Sequence, residues 1–327
     1  MITIGIDVSK DKLDLLWLKE LTTRKVKTKV FKNTAQGHQE LVHWVLKNTQ
    51  SELDDIRFVM EATGIYHEAL AYSLFAQQTH VVVVNPARIK THAKSLGIRG
   101  KTDKKDSFAI AHYGATMPLQ SWQPEPTEVR ELKALIARYQ ALEKDLQREL
   151  NRLEKASITQ VSEIVSSSIT EMVSTLTHQK KLLEKEINQH IDKHPGLKKD
   201  RHLLESIPGV GPVISSLMLS VIRSRKFDGA RQCSAFLGLN PVEYTSGKSV
   251  YKAPRMSKMG DGKIRAKLYM AAIVSIRYNP DIQAQYERLL KNGKCKMSAI
   301  GAAMRKLVQI CFGVLKHQEE YQPQCAQ

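Results

Sequence analysis

The sequence predicts an α/β domain with a mixed sheet followed by a mainly helical region, so the predicted fold class is α/β plus all-α. Three observations lead to this prediction. Roughly the first 120 residues alternate β-prone and helical runs, apolar residues then recur at three- and four-residue steps from Glu128, and a helical, strongly basic pattern begins at residue 197. The chain has 327 residues, which is enough for two domains of ordinary size.

The N-terminal part opens with three β-prone runs. Residues 2–8 (ITIGIDV), 13–18 and 24–31 are rich in β-branched or alternating residues, and the last of them is basic. Asn33 and Thr34 can cap a helix, after which IRFVME (56–61) and THVVVV (79–84) are short apolar runs typical of buried strands. A helical pattern over roughly 65–77 lies between them. The expected order is therefore three strands followed by αβαβ.

The middle of the chain predicts long amphipathic helices. After Pro124 and Pro126, two segments with coiled-coil spacing extend to Pro195, and the second contains the serine run Ser166–Ser168, which leaves its continuity open. Spacing alone does not decide whether the segments pair with each other or with another chain. His190 and His194 have a zinc-compatible spacing, but without a third ligand we expect them on a solvated face.

The C-terminal part carries much of the positive charge. Residues 197–270 contain 14 Lys or Arg and five Asp or Glu, a net charge of +9, and apolar helices are expected near 264–277 and 297–316. The predicted division is therefore 1–122, a catalytic domain; 127–195, a helical coiled-coil segment; and 197–320, a C-terminal domain.

Composition limits the function classes. The chain has 50 Lys and Arg against 33 Asp and Glu, a net charge of +17, and 42% hydrophobic residues, which indicates a folded basic protein with an anionic partner. Nucleic acid is the first candidate partner and a membrane surface the second. Four dispersed cysteines predict neither a disulfide framework nor a thiolate zinc site. No signal-peptide core and no apolar run of about 20 residues is evident, so we expect a cytoplasmic protein.

Four acidic residues predict a metal site in the first domain. Asp7 and Glu61 end apolar strands, and Asp103 and Asp106 stand three residues apart in KTDKKDS. Clustered carboxylates favour Mg²⁺, and a pair of such ions can hold the attacking and leaving oxygens of a phosphodiester. The alternative is that these residues are turn formers, surface charges and helix caps. The strand contexts favour the metal site.

Two segments of the basic region can contact phosphate. IPGVGP (207–212) places Gly209 and Gly211 in a turn between helical patterns, where backbone N–H groups can face a phosphate, although a plain helical corner explains it equally well. Arg223, Arg225 and Lys226 nearby favour phosphate. The segment 238–250 is predicted to be a polar loop with Ser246 beside a glycine, and on its own such a serine is usually a turn residue.

Five collinear motifs resemble those of insertion-sequence-110 family transposases. The matching stretches cover most of the chain: GIDVSKDKLD (5–14), MEATGIYHEAL (60–70), VVNPARIKTHAKSLGIRGKTDKKDSFAIA (83–111), LLESIPGVGPVISS (203–216) and FLGLNPVEYTSGKSVYKAPRMSKMGDGKIRAKLYMAA (236–272).

This resemblance implies an RNase H-like, RuvC-like first domain whose acidic tetrad falls on Asp7, Glu61, Asp103 and Asp106. It implies that Ser246, in a GLxPxxxxSG motif, is a nucleophile, and that Mg²⁺, as two ions per active site, is the cofactor. The implied partners are donor and target DNA and a structured noncoding bridge RNA, with tetramers that combine active-site residues of different subunits. The predicted nucleic-acid-binding residues are Gly209, Gly211, Arg223, Arg225, Lys226, Lys248, Arg255, Lys258 and Arg265.

The predicted function is therefore RNA-guided, metal-assisted DNA strand exchange through a covalent phosphoserine, in the bacterial cytoplasm and at the nucleoid. The protein is expected to be a dimer or tetramer with no membrane partner. Two alternatives stay open: a junction-resolving nuclease that uses water and the acidic tetrad, and a non-catalytic RNA- or DNA-binding protein. They differ in whether cleaved DNA carries protein, and in whether a divalent metal binds at all.

Overall fold

The computed structural model describes residues 1–100, 102–246 and 250–324. Within it the chain forms two compact units, unit 1 over Met1–Pro124 and unit 2 over Glu125–Gln327. The three-part division into 1–122, 127–195 and 197–320 stays a prediction. In unit 2, the long helices and the helices that follow them share one apolar core.

Unit 1 contains a five-stranded mixed sheet with the order β3-β2-β1-β4-β5. Strands β1, β2 and β3 form an antiparallel meander, whereas β4 and β5 run parallel to β1. The parallel neighbours need crossovers, which the helices supply. This order and these directions are those of an RNase H-like sheet, as the motifs implied. The strands are β1 (Ile2–Val8), β2 (Lys12–Glu20), β3 (Lys25–Lys32), β4 (Ile56–Glu61) and β5 (His80–Val84).

Helices cover both faces of this sheet. On one face, α1 (Ala35–Thr49) and α2 (Glu68–Ala76) pack on apolar side chains of β1, β2 and β4. On the other, α3 (Pro86–Ser95) and α4 (Asp103–Thr116) cover β4 and β5. The predicted cap at Thr34 forms, because its side chain accepts a hydrogen bond from the amide of Gly37. The central strands are therefore buried on both sides.

Helix α4 lies unusually close to the sheet because glycines face it. A Cβ on Gly5 of β1 would lie 2.5 Å from the amide nitrogen of Ala111 in α4. A Cβ on Gly114 of α4 would lie 2.5 Å from the side chain of Val59 in β4. Any larger residue at these positions would push the helix outward. The contact fixes the position of the N-terminus of α4 relative to β1.

Unit 2 begins with two long helices, α5 (Thr127–Thr159) and α6 (Glu163–Lys193). They pair with each other in antiparallel fashion: Nε2 of His190, near the end of α6, lies 2.8 Å from the carbonyl oxygen of Glu128 at the start of α5. The question that spacing left open is thus answered for the single chain, and α6 is continuous through the serine run. The expectation that His190 lies on a solvated face was wrong, because its side chain is 8% exposed and contacts the start of α5.

The rest of unit 2 is a helical bundle around one apolar core. Its helices are α7 (Pro195–Glu205), α8 (Pro212–Ile222), α9 (Ala230–Phe236), α10 (Gly262–Tyr278), α11 (Pro280–Lys291) and α12 (Lys296–His317). By length and composition α12 could cross a membrane, which corrects the expectation that no segment comes near this limit. Its buried side chains, among them Leu307 and Val308, belong to the core of unit 2.

One segment of unit 2 differs from its prediction. The expected loop at 238–250 contains strand β6 (Pro241–Ser246), which pairs in antiparallel fashion with β7 (Val250–Met256). The prediction gave most weight to the glycines and prolines and too little to Val242 and Tyr244, which alternate as strand residues do. Pro241 of β6 and Pro254 of β7 are compatible with this two-stranded ribbon. Each strand pairs along one edge, and a proline, which has no N–H group, is tolerated where the backbone faces the other edge.

Candidate active site

The four predicted carboxylates come from three elements that meet at one edge of the sheet. Asp7 lies near the carboxyl end of β1, and Glu61 is the last residue of β4, which runs parallel to β1. Asp103 and Asp106 lie in the first turn of α4, whose N-cap residue Thr102 accepts a hydrogen bond from the amide of Lys105. Because carboxyl ends of adjacent parallel strands meet at one edge, the strand residues and the helix start are brought together.

The electrostatics of Asp7 confirm that these groups are neighbours. The pKa of the half-buried Asp7 carboxyl is raised to about 6, first by burial and then by four nearby carboxylates. Those carboxylates, in order of decreasing effect, belong to Asp106, Asp103, Asp14 and Glu61. Like charges disfavour the ionised form, so the negative charge of these neighbours acts on Asp7. All four sequence-predicted acids are therefore part of one cluster.

Sequence reasoning missed two members of this cluster, Asp14 and Lys12. Asp14 lies directly opposite Asp7 in the β1–β2 pair. The Lys12 ammonium lies 3.1 Å from Oδ2 of Asp14 and 2.5 Å from Oδ2 of Asp103. The signal was present in KDKLD, because residues two apart on a strand share a face.

The donor chemistry of the cluster suits a hard divalent cation. Carboxylate oxygens are the ligands that Mg²⁺ prefers. Burial and, after it, the charge of neighbouring carboxylates raise the pKa of Asp7, and a cation would offset that charge. In the ranges that the structure describes, no three Asp, Glu, His or Cys side chains lie close enough to hold one ion. Lys12 contributes the positive charge between Asp14 and Asp103 instead. The residues fit a cation in kind and charge.

Ser246 lies in unit 2, at the end of strand β6. It is exposed, and its Cα pairs with that of Val250 in β7, the last residue pair of β6 in this ribbon. An exposed hydroxyl at the end of a strand is accessible to a large substrate. Lys248, predicted to bind nucleic acid, lies outside the described residues.

The glycines of IPGVGP have different roles. Gly209 has φ of +94°, and a Cβ there would lie 2.1 Å from Oγ of Ser275 in α10. Gly211 precedes α8 as its N-cap, and a Cβ there would meet nothing within 4 Å. Gly209 is thus required by backbone conformation and by packing. The amide groups at the start of α8 follow Gly211 and are the ones available for an anion.

The basic side chains after α8 are engaged to different extents. Nε of Arg223 lies 2.5 Å from the carboxylate of Asp200, whose side chain is 4% exposed. The guanidinium of Arg225 stacks on the ring of Phe236 at 4.1 Å from its centre, and Lys226 is exposed. Arg223 therefore holds a buried carboxylate of the bundle, whereas Arg225 and Lys226 face solvent. A guanidinium that stacks on an aromatic ring can still donate hydrogen bonds from its N–H groups to a phosphate.

The remaining predicted residues lie around the hairpin and its connection to α10. Arg255 is exposed on β7, and Lys258 is exposed with φ of +57°. Arg265 donates hydrogen bonds from Nη1 to the carbonyl oxygens of Gly260, at 2.9 Å, and Leu237, at 3.3 Å. Arg265 therefore fixes the loop that follows the hairpin.

Comparison with known proteins identifies the family. A family model for transposases of IS110 elements matches residues 4–159, and one described as "Transposase IS116/IS110/IS902 family" matches residues 201–287. The "Pilin gene-inverting protein" of Moraxella bovis is 32% identical over 97% of this chain and 97% of its own length. The chain belongs to the IS110 family of transposases. It is therefore a DNA recombinase of the transposase type.

Two further relatives extend the comparison. The "Transposase for insertion sequence element IS1111A" of Coxiella burnetii is 24% identical over 97% of this IS110-family chain and 90% of its own. Among solved structures, Thermus thermophilus RuvC in complex with a Holliday junction substrate matches 37% of the chain at 18% identity with a TM-score of 0.25. That value is too low to carry an argument, so the RNase H-like assignment depends on strand order and direction.

Proposed function

We propose that this transposase exchanges DNA strands by transesterification, with Ser246 as the nucleophile and with the carboxylate cluster as its metal site. The observation that carries the proposal is the convergence of Asp7, Glu61, Asp103 and Asp106 on one edge of the sheet, reported by the raised pKa of Asp7. A divalent cation at such a site supplies charge stabilisation to a phosphodiester. The predicted catalytic domain, 1–122, and serine domain, 197–320, then contribute different parts of one reaction.

The covalent step balances without an external energy source. Oγ of Ser246 bonds to the phosphorus while the bond from phosphorus to O3′ breaks, so the serine proton is lost and the leaving O3′ gains one. The product is a phosphoserine on the 5′ side and a free 3′-hydroxyl. Attack by the 3′-hydroxyl of the partner strand reverses the step and releases the serine. The exposed position of Ser246 at the end of β6 supports this role.

The nucleophile is tested by Ser246→Ala, with Thr245→Ala as the matched control. Thr245 is the preceding residue of β6, is exposed and carries a hydroxyl. End-labelled DNA carrying the element's ends is incubated with each protein and resolved by denaturing gel electrophoresis. Wild type and Thr245→Ala should give a protein-linked band that Ser246→Ala lacks. Cleavage without any linked band in the wild type would instead support the water-using nuclease.

A guide RNA is the second part of the proposal. The net charge of +17 favours binding to phosphate backbones, and the resemblance implies a noncoding RNA transcribed from the element. RNA that copurifies with the protein is sequenced, and recombination is measured before and after ribonuclease treatment. Element-derived RNA and loss of activity are expected. Full activity after ribonuclease treatment would refute RNA guidance.

Self-association is the third part. The end of the α5–α6 pair exposes large apolar side chains, with Ile158 at 75% and Ile164 at 82% exposure. Exposed apolar clusters of this kind mark protein interfaces. Light scattering of wild type should give a dimer or tetramer, and Ile158→Glu with Ile164→Glu should give a smaller species. An unchanged mass in this variant would place the interface elsewhere.

The reaction outcome is either insertion or inversion. The pilin gene-inverting relatives favour recombination between two sites of one DNA molecule, whereas the IS1111A relative is named for insertion. Both outcomes need the same strand exchange. Plasmids that report excision, insertion or inversion of a segment flanked by the element's junctions distinguish them, with the Ser246→Ala protein as the inactive control.

A further inference from the structure

A basic surface in unit 1 has no part in the function described so far. Strand β3 is an edge strand of the sheet, and residues 19–32 contain six basic residues and one acid. All six basic side chains are exposed. We name this surface the β3 lysine strip; its members are Lys19, Arg24, Lys25, Lys27, Lys29 and Lys32.

Four members of the strip lie over aromatic rings. The guanidinium carbon of Arg24 is 5.9 Å from the ring centre of Phe108 in α4. The ammonium of Lys19 is 4.8 Å from the ring centre of Trp17, and that of Lys29 is 5.1 Å from Phe31. The ammonium of Lys27 is 5.8 Å from Trp44 of α1. Aromatic rings hold a cation in place without neutralising its charge. In the part of the chain that the structure describes, no ion pair joins any member of the strip to a carboxylate.

The strip begins beside the acidic cluster. Lys32 pairs with Lys12 across β2 and β3, and Lys12 contacts Asp103. From Lys32 the strand leads back to Lys25, seven residue steps or about 23 Å at 3.3 Å per residue. This corresponds to about seven nucleotides of duplex at 3.4 Å per base step. Lys32 shares a face of the sheet with Asp14, whereas Lys25, Lys27 and Lys29 lie on the other face of the same open edge. A duplex that lies along this edge can therefore contact the strip while it reaches the cluster.

Protection of an open sheet edge is the competing explanation. Lysines on edge strands prevent pairing between molecules, and a few of them are sufficient for that purpose. The strip exceeds that need, because Lys19 and Arg24 lie outside β3 and extend the charge beyond the strand. Edge protection also gives no reason for cations to be held over four aromatic rings.

We propose that the β3 lysine strip binds the phosphate backbone of the duplex DNA next to the position of strand exchange. The proposal rests on the proposed function for the location of that position. The occupant is DNA because the family acts on DNA, and because the strip presents unpaired cations in a line. Binding by backbone contacts is independent of sequence, so the strip orients the duplex and leaves site choice to other parts of the complex.

The test is DNA affinity of the full-length protein with Lys25→Gln, Lys27→Gln and Lys29→Gln combined. These side chains alternate along β3 and share one face. The probe is a fluorescent 30-base-pair duplex of arbitrary sequence, measured by anisotropy in EDTA so that neither metal nor cleavage enters. Kd should rise about 10- to 100-fold at 0.1–0.15 M salt, and the salt slope should fall by about 2.7, or 0.9 for each lost phosphate contact.

Two matched variants accompany it. The same lysines changed to Arg keep the charge and should restore binding. Lys155→Gln, Lys181→Gln and Lys185→Gln combined change the net charge equally on exposed positions of α5 and α6, and should leave Kd within about 3-fold of wild type. This control separates a local contact from a loss of overall charge.

The outcomes are distinguishable. The proposal is overturned if the strip variant binds DNA as tightly as the control variant does. It is also overturned if the strip variant aggregates but keeps normal DNA affinity, because that result is expected for edge protection. Loss of affinity for a hairpin RNA but not for the duplex also overturns it and makes RNA the occupant. Failure of the wild type to bind any duplex would instead contradict the proposed function itself.

Discussion

Replacement of Asp7 by Asn should stabilise unit 1 while abolishing recombination. The pKa of Asp7 rises from 3.8 to about 6, first through burial and then through neighbouring carboxylates. Each pKa unit corresponds to 1.36 kcal/mol, so the ionised side chain costs about 3 kcal/mol near pH 7.5. Because the carboxyl is only partly buried, solvent screening reduces this to about 1–2 kcal/mol. Asn has a similar shape without the charge, and so removes the cost.

The effect has a defined pH window. A raised carboxyl pKa means that the folded protein binds more protons than the unfolded chain between pH 3.8 and about 6. The free energy of unfolding of the wild type therefore falls as the pH rises through this window. Asp7→Asn lacks this dependence. The difference between the two proteins should be complete at pH 7.5 and should vanish near pH 4.

Tryptophan fluorescence provides the assay. All three tryptophans, Trp17, Trp44 and Trp122, lie in unit 1, so their fluorescence during urea unfolding reports this unit separately from unit 2. Wild type and Asp7→Asn are compared at pH 7.5 and pH 4.5 without divalent metal. Asp11→Asn is the matched control, because Asp11 is an exposed acid in the adjacent turn.

Three results would refute this reasoning. One is an Asp7→Asn protein that is less stable than wild type at pH 7.5, and another is a gain of the same size at pH 4.5. The third is an equal gain in Asp11→Asn, which would indicate a general charge effect. Mg²⁺ adds a further comparison: it should stabilise the wild type more than Asp7→Asn, and equal stabilisation would place the metal elsewhere.

Three other changes have defined outcomes. Gly209→Ala should destabilise unit 2 by about 2–4 kcal/mol in thermal unfolding followed by circular dichroism, through positive φ and a clash with Oγ of Ser275, while Gly211→Ala should change it by less than about 1 kcal/mol. Arg223→Met should cost about 2–4 kcal/mol, since it removes the cation beside the buried Asp200 and leaves that carboxylate with the hydrogen bond from Gln318; an unchanged melting temperature with weaker DNA binding would instead make it a phosphate ligand. Lys12→Gln should make the melting temperature of unit 1 more sensitive to Mg²⁺ than in wild type, and an unchanged sensitivity would exclude competition between this ammonium and the metal.

Unit 1 could be predicted from sequence because its signals are local. Each strand is a short run of apolar or alternating residues, and the cap at Thr34 marks the start of α1. Strand order was available only through the family motifs. The reason is physical: the registers that join β1 to β4 are long-range contacts, and a short apolar run such as IRFVME carries no information about its neighbour.

The acidic cluster shows the same division between local and long-range information. Asp7 and Glu61 stand out because a carboxylate at the end of an apolar strand is costly without a purpose. Asp14 does not, since its role depends on the register that places it opposite Asp7. Lys12 was missed for the same reason, because its contact with Asp103 joins residues far apart in sequence. The four acids of the cluster could therefore be chosen from the sequence, whereas the contacts of Asp14 and Lys12 with them could not.

The hairpin that carries Ser246 was mispredicted because its stability is not encoded by an apolar face. Every residue of β6 is exposed, so the burial pattern that identifies a strand is missing. Such a ribbon is marginal on its own, which suits the role proposed for Ser246 as a nucleophile toward a large, charged substrate. In unit 1 the opposite holds, since Asp7 and Glu61 stand on strands whose apolar residues are buried. The amount of apolar surface that each element buries therefore predicts a rigid acidic cluster and a more adaptable Ser246 segment.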